Sequence, residues 1–350
     1  MSVDSDDAWE KAQDELAAAG RSDGLPLVPP TPERIGRMLG MHGFRPDAVV
    51  AKLMPAFADA TWRSIAENAV MAGCRPEYLP VIGAAVEALA AGEFNLLGIQ
   101  TTTGSATPVV IVNGPVAGAI GMNAAGNALG PGNRANATIG RAVRLILQNV
   151  GGAIPGVGDM ATLGQPGKYT FCFAENQAAS PWPALHVERG YAADMSVVTV
   201  VGASGNVEIV DSSSASAEDV IHTYANSMLI AGTISMSGYI GGGEPLIIMP
   251  PEHAAFLSAA GYTKDKVKAA IFDAVQYPLE RLSPYVRDRL IASRKTMNAA
   301  NVEGPVRLAA TAKDVMIVVV GGVGIKAAYV PTWSGGTRAV SRRVTTGRGA

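Results

Sequence analysis

Residues 101–152, TTTGSATPVVIVNGPVAGAIGMNAAGNALGPGNRANATIGRAVRLILQNVGG, decide how the fold is read. Pro108 to Val112 is a short β-branched apolar run, long enough for a buried strand. A helix opens near Asn133 to Asn136. Its apolar positions Ile139, Val143 and Ile146 recur at spacings of four and three and so share one face, with Arg134, Arg141 and Arg144 between them. The connection from strand to helix is crowded with Gly and Asn. Both residues tolerate positive φ, and Gly lets backbone approach a ligand closely. A helix N-terminus adds free N–H groups and partial positive charge. The loop therefore suits a carboxylate, a phosphate or a developing oxyanion, held with Asn113, Arg134 and Asn136. The competing reading is a long connection packed against a neighbouring subunit. Val116, Ile120, Met122 and Leu129, interleaved through it, argue against disorder.

Outward from this stretch, the same pattern returns. PVVIVNGPVA at Pro108 resembles PLIIMPPEHA at Pro245, and Ile139 and Val143 align with Ile271 and Val275. A third, truncated echo is Val315 to Val320. These echoes predict an α/β fold of duplicated β-loop-α modules, forming a sheet flanked by helices. The expected division is an N-terminal helical arm or clasp over residues 1–58, a first module over 59–205 and a second over 206–350. Helices are expected over 1–20, 32–39, 60–72, 75–91 and 214–231. Further strands are expected over 94–99, 169–174, 196–202 and 207–210, the last two as a hairpin. If the strands neighbour one another in one sheet, the loops after 113, 250 and 321 share the rim where ligands bind in open α/β sheets.

Composition narrows the function classes. The chain has 350 residues, 48% of them hydrophobic and only 17% charged, with a net charge of −2. Nothing in this balance suits nucleic acid, and the Arg338, Arg342, Arg343 and Arg348 tail suits a solvated end or a subunit contact. The N-terminus is acidic, unlike a signal peptide, and no apolar run approaches the roughly 18 residues that span a bilayer. A cytoplasmic, reduced protein is expected, and the Ala/Gly-rich composition points to a homo-oligomer. Cys74 and Cys172 have no metal-ligand spacing. No dinucleotide fingerprint, P-loop or zincin motif occurs, and the sequence identifies neither cofactor nor metal.

Several side chains are candidates for chemistry. Cys74 sits between two expected helices beside Arg75, an arrangement that favours a thiolate, although a buried junction cysteine has the same surroundings. Thr102, Thr103 and Ser105 offer hydroxyls to an anion or form a polar strand end, and His253 is a further substrate-binding candidate. Glu175, just past an apolar strand, is a general-base candidate, and Lys168 lies at the strand's other end. His186 with Glu188, and His253 with Glu252, are the acid–histidine clusters. Together they could supply the three ligands of a catalytic metal, though the spacing does not require it.

Four stretches also carry a resemblance: Asp23 to Thr31 (DGLPLVPPT), Asn68 to Tyr78 (NAVMAGCRPEY), Gly130 to Arg141 (GPGNRANATIGR) and Lys168 to Asn176 (KYTFCFAEN). Over roughly 23–182 the chain resembles a bacterial family associated with UGSC-type thiol or selenol proteins, whose small partner bears a (Sec/Cys)-Gly-Ser-Cys motif. This chain lacks that motif, so the resemblance implies that such a centre would come from a partner. It supplies no substrate, and points to Cys74, Arg134, Asn136, Lys168 and Glu175.

The expectation is an enzyme or enzyme subunit that binds a small anionic or carbonyl metabolite at the Gly-rich loops. It would cleave or add at a carbon–heteroatom bond, with Cys74, Glu175, His186 and Lys168 as catalytic candidates. The alternatives are a non-catalytic scaffold subunit of a redox complex and a metal-dependent hydrolase or lyase.

Overall fold

A computed structural model describes residues 3–230, 243–297, 299, 301–333 and 336–347. Arg348, in the expected basic tail, and Ala231, at the expected end of a helix, lie outside the described residues. The chain is α/β. Two four-stranded sheets lie face to face with helices on both outer sides.

The first sheet is built on β3 (Thr107–Asn113), β4 (Cys172–Ala174) and β5 (Val197–Ala203); the second on β7 (Leu246–Met249), β8 (Met316–Val319) and β9 (Lys326–Val330). In each, the first strand pairs parallel with the second and antiparallel with the third. The fourth strand is exchanged. β6 (Val207–Val210) pairs with β9, and β10 (Val340–Arg343) pairs with β5. The 207–210 strand is therefore not the hairpin partner of 196–202. Val315 to Val320 is not a third echo either: β8 pairs with β7 as β4 pairs with β3.

The burial pattern explains the layers. Val109, Ile111, Phe173 and Val201 meet Leu246, Ile248, Met316 and Val330 between the sheets. The alternate residues Val110, Val112, Cys172 and Val200 face helices on one side, and Ile247, Met249, Ile317 and Tyr329 face helices on the other. Strands buried on both faces read as unbroken apolar runs, as these do.

The outer layer of the first sheet holds α3 (Trp62–Met71), α4 (Leu79–Leu89) and α7 (Arg134–Asn149). That of the second holds α9 (Ala217–Ser227), α10 (Pro251–Ala259) and α11 (Lys264–Ala274). Among the described residues no single helix is long and apolar enough to cross a membrane. α1 (Val3–Ala18) and α2 (Pro32–Gly40) form the N-terminal arm. Asp23, just after α1, clasps α7 through two 2.8 Å bonds from Arg141. The arm continues into an antiparallel hairpin, β1 (Val49–Leu53) and β2 (Ala58–Thr61), which the sequence patterning did not reveal.

Phe94 to Ile99, expected as a strand, instead enters a short helix, α5 (Leu96–Thr101). Asn95 takes a left-handed conformation there, and its side chain accepts the Gly98 N–H, an N-cap that apolar content alone does not announce. Another short helix, α6 (Pro115–Ala119), follows β3.

Candidate functional site

Helix α3 ends at Gly73, whose φ of +87° lets the Cys74 N–H turn back to the Ala69 carbonyl. The Gly73 carbonyl then faces α7. Arg134, the first residue of α7, donates Nε and Nη2 to it at 3.0 and 2.8 Å. Across the gap lies α2, capped by Thr31 with Pro32 at its first position. Its Arg34 donates to the Pro29 carbonyl at 2.8 Å, and Arg37 follows one turn later. These side chains enclose a cavity of about 300 Å³ walled by Arg34, Arg37, Arg134 and Cys74, with apolar Val28, Met38 and Val70. Among the described residues no Asp or Glu lines it. Arg21 is paired with Glu67 and Arg141 with Asp23, whereas none of these three has a carboxylate within ion-pair distance among the described residues, although the charges of Arg34 and Arg37 act on Glu33 of α2. Three of the four stretches that carry the resemblance contribute to this wall, through Val28, through Gly73 and Cys74, and through Arg134.

Cys74 is not the activated thiolate that Arg75 suggested. Its side chain is buried, and its Sγ donates to the Thr138 carbonyl at 3.2 Å. Burial pushes the thiol up to about 12, outweighing the Thr138 contact and the charges of Arg134 and Arg141. Cys172 is buried core, its thiol likewise pushed up by burial.

The Gly/Asn-rich loop does not hold its polar groups open for an anion. Asn133 caps α7 by accepting the Asn136 N–H, and Asn136 in turn binds the backbone of Asn123 and Ala128. The Ala124 carbonyl accepts the Gly321 N–H at 2.9 Å, so the loop closes onto the β8–β9 connection. Glu252 accepts the Gly324 N–H. The three expected rim loops therefore do converge, although their strands lie in two sheets.

Asn113 and Glu175, at the ends of β3 and β4, come together. Asn113 Nδ2 donates to Glu175 Oε2 at 2.6 Å, and the Leu185 N–H donates to the same oxygen at 2.8 Å. Leu185 opens α8 (Leu185–Glu188). Burial, the largest effect, raises the Glu175 carboxyl pKa against the opposing charge of Lys264. His186 is fully buried; its Nε2 donates to the Ala193 carbonyl at 3.4 Å, and its Nδ1 has no hydrogen-bond partner among the described residues.

The remaining candidates lie elsewhere in structural roles. Lys168 holds both oxygens of Asp159 at 2.6 Å, and burial lowers its pKa. Thr102 accepts the Gly104 N–H within its own turn, and the Thr103 and Ser105 carbonyls tie down Thr162 and Gln165. His253 is committed on both nitrogens, with Nε2 donating to the Asp211 carbonyl and Nδ1 accepting the Tyr224 hydroxyl. His186, Glu188 and His253 thus do not form a ligand set, and no group of three or more His, Cys, Asp and Glu side chains is placed for a metal among the described residues.

Sequence reasoning missed Arg34, Arg37, Lys264 and Lys268. For the two arginines a signal existed, because a spacing of three after the Thr31 cap puts both on one helical face. The two lysines of α11 gave no such warning; they read as the solvated side of a surface helix. No protein-family model, curated protein or solved structure matches this chain.

Proposed function

We propose that this chain is an enzyme, or the subunit of one, that binds a small anionic metabolite in the arginine cavity and cleaves or adds at a carbon–heteroatom bond. One observation carries this reading: Arg34, Arg37 and Arg134 surround a single cavity that no carboxylate lines. Three guanidinium charges around one cavity favour an anion there, beyond the charge interaction that Arg34 and Arg37 have with Glu33 of α2. Guanidinium groups pair with carboxylate or phosphate through two parallel hydrogen bonds. A volume of about 300 Å³ suits a small molecule, and Val28, Met38 and Val70 suit a short apolar portion of it. The same guanidinium groups would hold charge that develops on a leaving or attacked oxygen. Cys74 takes part as a protonated thiol. A small thiol or selenol partner protein, implied by the resemblance, would enter as the source of a reactive sulfur or selenium.

The test is a thermal-shift screen of malonate, citrate, inorganic phosphate and glycerol phosphate against chloride at equal ionic strength. At least one anion raises the melting temperature of the wild-type chain, and Arg37→Ala removes the rise. If none does better than chloride, the cavity is not an anion site. NMR of the mixture with the anion that binds then reports turnover.

A scaffold role, as a homo-oligomer or around a partner, is favoured by a different observation. Ile154, Val157, Met160 and Leu163 stand on one segment with Leu163 92% and Val157 74% exposed. Apolar side chains so exposed mark contact surfaces when they cluster. Light scattering of wild-type and Leu163→Asp chains tests this: an assembly that the substitution dissociates supports it, and a monomeric wild type rejects it.

A further inference from the structure

Packing does not require a carboxyl group at Glu175. Its counterpart in the second module is Val320, which makes the same backbone bond at the same point of its sheet. A buried carboxyl loses hydration that an apolar side chain never needed. Around Glu175 the first module sets further polar groups in a chain. Among the described residues, Glu175 Oε1 and Asn113 Oδ1 are buried acceptors without a hydrogen-bond donor. Oε1 lies 3.9 Å from Lys264 Nζ. Lys264, 3% exposed, reaches Glu188 Oε2 at 2.7 Å and the Pro183 carbonyl at 3.0 Å. Lys268 takes the other oxygen of Glu188 at 2.8 Å. Lys264, Lys268 and Glu188 wall an open cleft of about 1080 Å³ that Trp182, Tyr262 and Lys313 complete.

We propose that this cleft is a second ligand site, for a small carboxylate, and that Glu175 is its proton switch. A proton on Glu175 Oε1 would turn one of the two unsatisfied acceptors into a donor, and burial of the carboxyl favours that proton. With Glu175 neutral, two lysines share the single carboxylate of Glu188, and the excess positive charge is open to an anion. Once ionised, Glu175 stands behind Lys264 and cancels that excess. The other charged or titratable groups on the surrounding elements are Asp265, Lys266 and Asp273 on α11, Lys313 across the cleft, Glu218, which accepts the Tyr262 hydroxyl at 2.8 Å, and His186 on α8. Glu175 does not line the cleft. It is a positioning residue that acts through Lys264.

The experiment is calorimetric titration with pyruvate over a series of pH values. It uses the Arg37→Ala chain, so that the arginine cavity contributes least. Pyruvate binds, Lys264→Met abolishes the binding, and affinity falls about tenfold as Glu175 ionises with rising pH, the effect of one nearby charge at a partly screened site. Glu175→Gln, a neutral isostere, flattens that pH profile while retaining binding. Absence of saturable binding, binding that Lys264→Met leaves intact, or the same pH profile in Glu175→Gln would each overturn the proposal. If Glu175→Gln fails to fold, calorimetry of the parent chain in buffers of different ionisation enthalpy decides. Proton uptake on pyruvate binding within the Glu175 titration supports the switch, and its absence overturns it.

Discussion

Glu175 and Val320 are structural equivalents. Each follows the parallel strand of its sheet by one residue, and each donates its backbone N–H to the last pairing position of the neighbouring strand, Glu175 to Val112 at 3.2 Å and Val320 to Met249 at 3.0 Å. One module thus completes its strand end with a carboxyl group and the other with an isopropyl group. The backbone frame is common to both, and the buried carboxyl group distinguishes one half from the other.

The pH dependence of stability follows from the raised Glu175 pKa. Between the ordinary unfolded carboxyl value of about 4.3 and the higher folded value, the folded chain binds more protons than the unfolded one. Stability from this group is therefore full below the unfolded pKa and is lost as pH rises toward the folded pKa. Urea denaturation of wild-type and Glu175→Gln chains from acid to alkaline pH checks this. The Gln variant gains on wild type as pH rises, and a constant difference between the two would refute the assignment.

Cys74 will react slowly. With its thiol held up at about 12 and bonded to the Thr138 carbonyl, little thiolate exists near neutral pH. Intact-mass kinetics with iodoacetamide should show modification at Cys74 only in denaturant. Rapid alkylation of the native chain, absent in Cys74→Ser, would restore it as a nucleophile.

The arm is fastened by the paired hydrogen bonds of Arg141 to Asp23, whose side chains are 15% and 12% exposed. Asp23→Ala leaves a largely buried guanidinium with only the Leu25 and Pro26 carbonyls. A loss of about 1.5–3 kcal/mol is expected, the range for hydrogen bonds to charged groups. Amide exchange should accelerate in α1 and the 20–30 segment before the sheets. Unchanged exchange there would mean that the apolar contacts of Leu16 and Leu27 hold the arm alone.

Gly114 carries φ +83° at the end of β3, and a β-carbon there would run into the Met195 carbonyl. With ψ −173° this backbone lies in a region essentially reserved for glycine and costs other residues on the order of 1–3 kcal/mol, and the clash adds to it. Gly114→Ala should lower the urea midpoint and displace the Met195–Ser196 backbone, visible as amide shift changes in NMR. A midpoint equal to wild type would show that the turn relaxes freely.

Much of the frame was legible because buried strands and crossover helices leave apolar patterns that repeat. Pro108–Val112 against Pro245–Met249, and the Asn133 start of α7, are such cases. The exchange of β6 and β10 was not legible, since a strand's own residues do not name its partner, and a short link after Ala203 reads as a hairpin. Asn113 and Glu175 stood out as polar residues at strand ends. Lys264, their neighbour in space, lies far away in sequence on a helix whose charges look solvated. The Gly/Asn loop pointed to a ligand for sound local reasons, yet its Asn side chains are spent on its own backbone and on the cap of α7. Arg134 reached the cavity by turning to the Gly73 carbonyl, a contact that no pattern within 101–152 encodes.

The central claim, that the arginine cavity binds a small anion, is tested most directly by calorimetric titration of inorganic phosphate and malonate into the wild-type and Arg37→Ala chains at one ionic strength. The account predicts saturable binding of at least one anion to the wild type, weakened tenfold or more by the substitution, the scale of one charged hydrogen-bonding partner. Binding of equal strength in both chains, or heats no larger than chloride dilution, would contradict it.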